Sequence, residues 1–121
     1  MKKFWEVKQS ANIKEADISI YGEIVSYKWD DTDTTAASFQ KDLKALGDIE
    51  QINLHVNSPG GSVFEGIAIG NMLKQHKATV VAHVDALAAS IASVIVASAD
   101  KVVMPENSML MIHNPWTYSV G

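Results

Sequence analysis

The chain has 121 residues, of which 47% are apolar and 20% are charged, and its formal charge is −4. The length predicts one domain over residues 1–121 with a real core, and the composition excludes an intrinsically disordered chain. The acidic charge argues against nucleic-acid binding, and the lack of cysteine excludes disulfides, thiolate metal sites and cysteine nucleophiles.

The sequence pattern shows no targeting signal and no membrane span. The basic residues Lys2 and Lys3 are not followed by an apolar stretch, because residues 6–10 are mostly polar. The most apolar stretch without a charge, 86–99, is too short to cross a bilayer and contains serines, so we interpret it as a buried helix of small residues. These features predict a cytoplasmic protein with no membrane partner.

Hydrophobic periodicity predicts a strand followed by a helix in the first half of the chain. Residues 16–24 alternate between apolar and polar side chains, which predicts a strand that buries Ile18 and Ile20. A helix is predicted over 33–46, because its apolar residues fall three or four apart. Asp33 is predicted to cap this helix, and Gly47 follows its end, where glycine is typical.

The second half of the chain continues this alternation. The predicted strands are 51–56, 78–84, 101–104 and 109–112, and the predicted helices are 63–75 and 89–99. Gly66 and Gly70 weaken the first of these helices by about 1 kcal/mol each, unless close packing requires them. The order of elements predicts an α/β fold with a mainly parallel sheet and alternating helices, joined by right-handed crossovers.

Residues able to do chemistry are predicted at one edge of this sheet, because ligands bind outside the carboxyl ends of parallel strands. Three loops leave these ends, and they carry Gly60–Gly61, Ser90 and His113. Ser90 at a helix start offers a nucleophile, His113 offers a base, and the glycines and Ile91 offer N–H donors for an oxyanion. These are the groups that acyl transfer requires.

Each of these residues also has a purely structural interpretation. A serine at a helix start is more often a cap than a nucleophile, and Ser90 lacks the G-x-S-x-G elbow of α/β-hydrolases. Gly60–Gly61 forms a turn in the first place, and it is no phosphate-binding P-loop because no G-K-[ST] follows. His113, which precedes a proline by two positions, is compatible with a simple strand end.

The remaining acidic residues and histidines predict no metal site. Asp31 and Asp33 faintly suggest a calcium loop, but position 36 is alanine where that loop needs glycine. His55 is predicted on the polar face of its strand, and His83 is predicted as a core or interface histidine. We therefore expect neither a metal nor a cofactor.

Three motifs in order resemble ClpP, the family of proteolytic subunits of Clp protease. They are NSPGGSV at 57–63, LAAS at 87–90 and MIHNP at 111–115. The spacing from Gly61 to Ser90 is also similar to that of the family. The tryptophan-containing flanks and the run 114–116 most resemble the ClpP-related proteases of phages and prophages that act in head maturation.

The resemblance implies a serine endopeptidase with the ClpP/crotonase fold. The matching positions are Ser90 as nucleophile, His113 as general base, Gly61 and Ile91 as oxyanion-hole donors, and Ser62 and Val63 as part of the segment that holds an extended peptide. It also implies a homo-oligomeric ring that encloses the active sites and admits unfolded polypeptides or phage structural proteins. Many family members work with an ATP-driven unfoldase.

Two features depart from the family pattern. Ala86 stands where many relatives carry glycine, and the chain ends at Gly121, before the positions of the family's catalytic acid and handle helix. We therefore expect a ClpP-like domain truncated ahead of both. Loss of the orienting carboxylate costs about 10⁴-fold in rate in the Ser-His-Asp template.

Two other functions remain open at this point. One is a catalytically silent ClpP-like assembly protein or an inactive fragment. The other is an acyl-CoA enzyme of the crotonase type, which shares the oxyanion hole. A serine and a histidine at the nucleophile and base positions argue against the acyl-CoA enzyme, as does the lack of an evident nucleotide site.

Overall fold

The computed structural model describes residues 7–10, 13–28 and 31–112. Within them, the chain forms a six-stranded sheet and three helices. The strands are β1 Val7–Ser10, β2 Ile13–Tyr21, β3 Gln51–Ser58, β4 Thr79–Ala89, β5 Lys101–Val103 and β6 Met109–Met111. The helices are α1 Ala36–Ala45, α2 Val63–Gln75 and α3 Ile91–Ala97. The sheet order is β1-β2-β3-β4, with β5 and β6 both paired to β4. All pairs except β1–β2 are parallel, which confirms the predicted α/β class.

The helices and one face of the sheet share a hydrophobic core. Ile18 and Ile20 of β2 are fully buried, as predicted, and β3 alternates between buried and half-buried residues. The other large, fully buried side chains are Ile24, Phe39, Ile52, Leu54, Val56, Ile69, Leu73, Val80, Val84 and Ile95. Burying each such side chain stabilises the fold by about 1.5–3 kcal/mol, so the core fixes which face of each strand turns inward.

The first helix begins later than predicted, and its cap is Thr35 rather than Asp33. The Thr35 hydroxyl accepts a bond from the Ser38 N–H at 2.9 Å, and the Ser38 hydroxyl accepts one from the Thr35 N–H at 3.0 Å. Residue 34 cannot join the helix because its backbone pairs with the segment after β2. Gly47 follows the helix with φ +72°, which confirms its predicted position.

Strand β4 is longer than predicted, and this difference positions the candidate site. The sequence predicts a strand over 78–84 and a helix from 89, whereas β4 runs to Ala89 and α3 begins at Ile91. Val56 lies opposite Val84, but Ser58 lies opposite Ala88. Because β4 advances further than β3 over this step, the irregularity is in β4. Beyond it, β4 pairs with β6. The interpretation of 86–99 as one helix is therefore wrong for its first residues.

Helix α2 has the predicted bounds, and its glycines serve close packing. The position of a Cβ on Gly66 is already occupied by the Ile91 side chain of α3, and a Cβ on Gly70 would lie 3.2 Å from the Ser98 hydroxyl oxygen. Two bulkier residues would therefore push α3 away from α2. At 13 residues α2 is the longest described helix, and within the described ranges no helix is long and apolar enough to span a membrane.

We expect Gly66→Ala to lower the free energy of unfolding by about 1–3 kcal/mol, because the new methyl group overlaps the Ile91 side chain. Gly70→Ala is the matched control in the same helix. There the mild crowding is offset by a gain in helix propensity of about 1 kcal/mol. Urea unfolding of both variants measures the difference, and equal stabilities would show that α2 and α3 are not closely packed.

Candidate active site

Ser90 joins β4 to α3 in a backbone conformation that serine rarely adopts. Its φ is 55° and its ψ is −125°, and among the described residues it is the only non-glycine residue with positive φ. Such a conformation costs about 1–3 kcal/mol and persists only where the surrounding structure imposes it. The Ser90 side chain makes no capping hydrogen bond, so its hydroxyl does not serve as a helix cap.

Hydrogen bonds hold the Ser90 backbone on both sides. Its N–H donates to the Met111 carbonyl of β6 at 2.7 Å. Its carbonyl accepts two bonds from Ser93, one from the N–H at 3.0 Å and one from the hydroxyl at 2.5 Å. These three bonds connect the strained residue to the sheet and to the first turn of α3.

The loop after β3 lies directly against Ser90. A Cβ on Gly60 would lie 2.6 Å from the Ala89 carbonyl oxygen, 2.9 Å from the Ser90 Cβ and 3.3 Å from the Ile91 nitrogen. Only glycine permits this approach, and the positive φ of Gly60, +96°, points to the same residue type. The parallel strands thus bring together the glycine loop and Ser90, two of the three predicted groups.

The N–H of Gly61 does not take part in the backbone pairing of its loop. Ile24 donates its N–H to the Gly60 carbonyl at 2.9 Å and accepts the Ser62 N–H at 2.8 Å. In a parallel bridge of this form, the N–H of the central residue points away from the partner strand. The Gly60 N–H is engaged, because it donates to the Ser58 hydroxyl oxygen at 3.1 Å. Gly61 is therefore the glycine whose N–H is available to a ligand.

A second N–H donor lies next to this loop, at the first residue of α3. The first N–H groups of a helix have no partner within the helix, and within 7–10, 13–28 and 31–112 no backbone group accepts the Ile91 N–H, so it can serve a ligand. The Ile91 side chain packs against Gly66 and fixes the position of this N–H. A hydroxyl and two N–H donors are thus combined, which is an arrangement suited to attack on a carbonyl group.

The other predicted site residues differ in how they are placed. Ser62 caps α2, with its hydroxyl accepting the Glu65 N–H at 3.4 Å, and Val63 is half exposed beside the glycine loop. His113 lies outside the described residues, so its role as the base stays a prediction. The nearest described strand residue before it, Met111, contacts Ser90 through its carbonyl.

Comparison with known proteins identifies the family. The family model for Clp protease matches residues 5–121. The chain belongs to the Clp protease family. Its fold superposes on ClpP1 from Listeria monocytogenes with a TM-score of 0.69 and 30% identity, over 82% of this chain. The ClpP protease catalytic domain from Plasmodium falciparum gives a TM-score of 0.69 and 32% identity, over 86% of this chain.

Sequence relatives of this Clp family chain are proteolytic subunits of ATP-dependent Clp proteases. The subunit from Leuconostoc citreum is 37% identical over 81 residues, and chloroplastic subunit 3 from Arabidopsis thaliana is 45% identical over 76 residues. This chain spans 40% of the length of the Leuconostoc relative and 56% of the Listeria chain. The structural likeness confirms the ClpP-like fold predicted from the sequence.

A second polar cluster in this Clp family chain lies on the sheet face opposite the core. His55 stacks on His83 with ring centroids 4.9 Å apart, and its Nε2 and Nδ1 lie 3.5 Å from carboxylate oxygens of Asp17 and Asp85. The Tyr21 hydroxyl donates to the Asp85 carboxylate. This hydrogen bond, with burial and the negative charge of Asp85, raises the pKa of Tyr21 to about 12.

Sequence reasoning missed this cluster because it depends on strand register. Period-2 alternation places Asp17 and His55 on the polar faces of their strands, but only the pairing of His55 with His83 brings the two imidazoles together. Burial, followed by the neighbouring His55, lowers the pKa of His83, while Asp85 and Asp17 oppose this shift. Within 7–10, 13–28 and 31–112, no three acidic or histidine side chains are grouped to hold a metal ion.

We expect Ser90→Gly to raise the free energy of unfolding by about 1 kcal/mol, because glycine adopts positive φ without strain. Ser90→Ala keeps the Cβ and therefore keeps the strain, which makes it the matched control. Chemical denaturation of the two variants compares them directly. If Ser90→Gly is no more stable than Ser90→Ala, the strain at this residue is not a feature of the folded protein.

The stability of the fold is expected to fall as the pH is lowered from about 7.5 to 5. The lowered pKa of His83 means that the folded state favours the neutral imidazole. Its contribution to stability is therefore complete above the ordinary histidine pKa of about 6.5 and is lost as the pH falls below it. Urea unfolding at several pH values should show a weaker pH dependence in His83→Gln. Parallel profiles for this variant and the wild type would contradict the prediction.

Proposed function

We propose that this chain carries the nucleophile, the base and the oxyanion donors of a ClpP-like serine endopeptidase. The observation that carries the proposal is the strained backbone of Ser90, held against a glycine loop, with its hydroxyl not used as a cap. Backbone strain of this kind clusters at active sites, where it presents a side chain in a fixed direction. The strand–turn–helix setting of Ser90 resembles that of serine nucleophiles on other α/β folds.

In the proposed reaction the Ser90 oxygen attacks the carbonyl carbon of a peptide bond. The carbonyl oxygen becomes negatively charged, and the N–H groups of Gly61 and Ile91 stabilise this charge. Loss of one such donor typically costs about 10²–10³-fold in kcat. His113 takes the serine proton and later protonates the leaving amine, and water then hydrolyses the acyl-enzyme.

The assignment of His113 as the base rests on the family motif and on chain proximity. His113 follows Met111 by two positions, and the Met111 carbonyl accepts the Ser90 N–H at 2.7 Å. The sequence thus leads from a residue in contact with Ser90 to the proposed base. This continuity supports the pairing of the two catalytic groups.

Exposed apolar side chains next to the glycine loop support an unfolded polypeptide as substrate. Val63, Phe64 and Ile67 at the start of α2 are 52%, 85% and 46% exposed. With Ser62 and Val63 as part of the substrate-binding segment, an extended peptide would contact both the loop and these side chains. Apolar contacts of this kind suit side chains that an unfolded polypeptide exposes.

The assembly and partners follow from the relatives as part of the same proposal. The relatives are named as proteolytic subunits of an ATP-dependent Clp protease, which supports an ATP-driven unfoldase as partner. The homo-oligomeric ring follows from the sequence resemblance to the family. Phage or prophage origin and a phage structural protein as substrate rest on the sequence resemblance alone and stay predictions. The cytoplasmic location rests on the sequence pattern of residues 1–10 and 86–99 and also stays a prediction.

A fluorophosphonate probe tests the proposal, because it labels only an activated serine. We expect the label on Ser90, with no labelling of Ser90→Ala and a rate at least about 10³-fold lower for His113→Gln. Ser98→Ala, which removes a hydroxyl at the far end of α3, is the matched control and should label normally. A folded, unlabelled wild-type protein would instead identify a catalytically silent ClpP-like assembly protein or an inactive fragment.

A further inference from the structure

We infer that two buried hydroxyls, those of Ser58 and Ser93, are positioning residues for the proposed oxyanion hole, an inference that rests on the proposed function. In the described part of the chain the buried polar side chains are those of Thr34, Ser58 and Ser93. Two of these three belong to the segments that carry the N–H donors. Ser58 bonds to the backbone of Gly60, the residue before the donor Gly61, and Ser93 bonds to the backbone of Ser90, the residue before the donor Ile91.

Ser58 holds the glycine loop. It is the last residue of β3 and is fully buried, and its hydroxyl oxygen accepts the Gly60 N–H at 3.1 Å. The intervening Pro59 has no N–H, so this bond is the one that closes the turn. The Gly60 carbonyl in turn accepts the Ile24 N–H. Gly60 is therefore fixed at both of its polar groups, and the direction of the next N–H, that of Gly61, is set.

Ser93 holds the other side of the site. It is 5% exposed, and its N–H and its hydroxyl both donate to the Ser90 carbonyl, at 3.0 and 2.5 Å. The plane of the peptide between Ser90 and Ile91 contains both this carbonyl and the Ile91 N–H. A bond that fixes the carbonyl therefore also fixes the second oxyanion donor.

Neither hydroxyl is explained by stability alone. Ser93 stands in α3 among the apolar residues Ile91, Ala92, Val94 and Ile95, where alanine is a better helix former and buries no polar group. Ser58 likewise ends a strand whose alternate residues are buried apolar side chains. A buried hydroxyl at such a position is favourable only through the hydrogen bond it makes. In both cases that bond orients a donor segment.

The test measures the rate constant for fluorophosphonate labelling, and kcat and KM for peptide cleavage, in Ser58→Ala and Ser93→Ala. We expect both the labelling rate and kcat to fall about 10- to 100-fold, with KM within about twofold of the wild-type value, because the donors act on the transition state. Ser93→Thr should keep the labelling rate and kcat near their wild-type values, since threonine can make the same bond to the carbonyl three residues earlier. Ser58→Cys, with its weak acceptor, should behave like Ser58→Ala.

Ser98→Ala is the matched control for Ser93→Ala. The Ser98 hydroxyl donates to the Ile95 carbonyl at 2.7 Å, which is the same bond at the other end of α3. Its loss should leave labelling and kcat unchanged. Equal falls in kcat in Ser93→Ala and Ser98→Ala would overturn the inference while leaving the proposed function intact. A rise in KM with kcat unchanged would do the same.

Amide hydrogen exchange gives a readout that does not depend on activity. We expect exchange to become at least about tenfold faster at the Gly60 amide in Ser58→Ala. In Ser93→Ala we expect the same at the amide of residue 93, which donates to the same Ser90 carbonyl as the lost hydroxyl, and no change in Ser98→Ala. If the wild type is not labelled, the proposed function fails, and exchange still decides whether the two serines hold these backbones. Unchanged exchange at both amides would contradict the positioning role.

Discussion

The parallel pairing of β3 with β4 is the constraint on which the candidate site depends. Beyond the irregularity in β4, Ser58 lies opposite Ala88, so the loops that leave the two strands meet at one edge. The glycine loop and Ser90 are far apart in sequence, and no local interaction joins them. The site therefore exists only when the core that aligns these strands is formed, which ties its geometry to the cooperative stability of the sheet.

The closeness of the glycine loop and Ser90 at this edge could be predicted from the sequence, because both lie at the carboxyl ends of predicted strands. A turn signal at Gly60–Gly61 and a serine between a strand and a helix are both visible without a structure. Their closeness follows from the general rule that parallel strands share a direction. The positive φ of Ser90 could not be predicted, because it results from bonds to β6 and to the first turn of α3.

Element boundaries were less predictable where tertiary pairing overrides local pattern. The residues 85–89 contain alanines and an aspartate and carry little strand signal, yet β4 continues through them because β6 pairs alongside. Strand β1 was missed, since an edge strand with polar residues shows no apolar alternation. The stacked His55 and His83 required the register between β3 and β4, which alternation within one strand does not contain.

The glycines around Ser90 have an evolutionary consequence. At Gly60, Gly61 and Gly66 a Cβ would overlap the Ala89 carbonyl, the Ile24 carbonyl and the Ile91 side chain. Every non-silent change in these codons adds at least that atom. Selection for the folded sheet alone is enough to retain all three glycines, whether or not a descendant is a peptidase. The glycine motif thus marks the architecture of the sheet, independently of which residue stands at position 90.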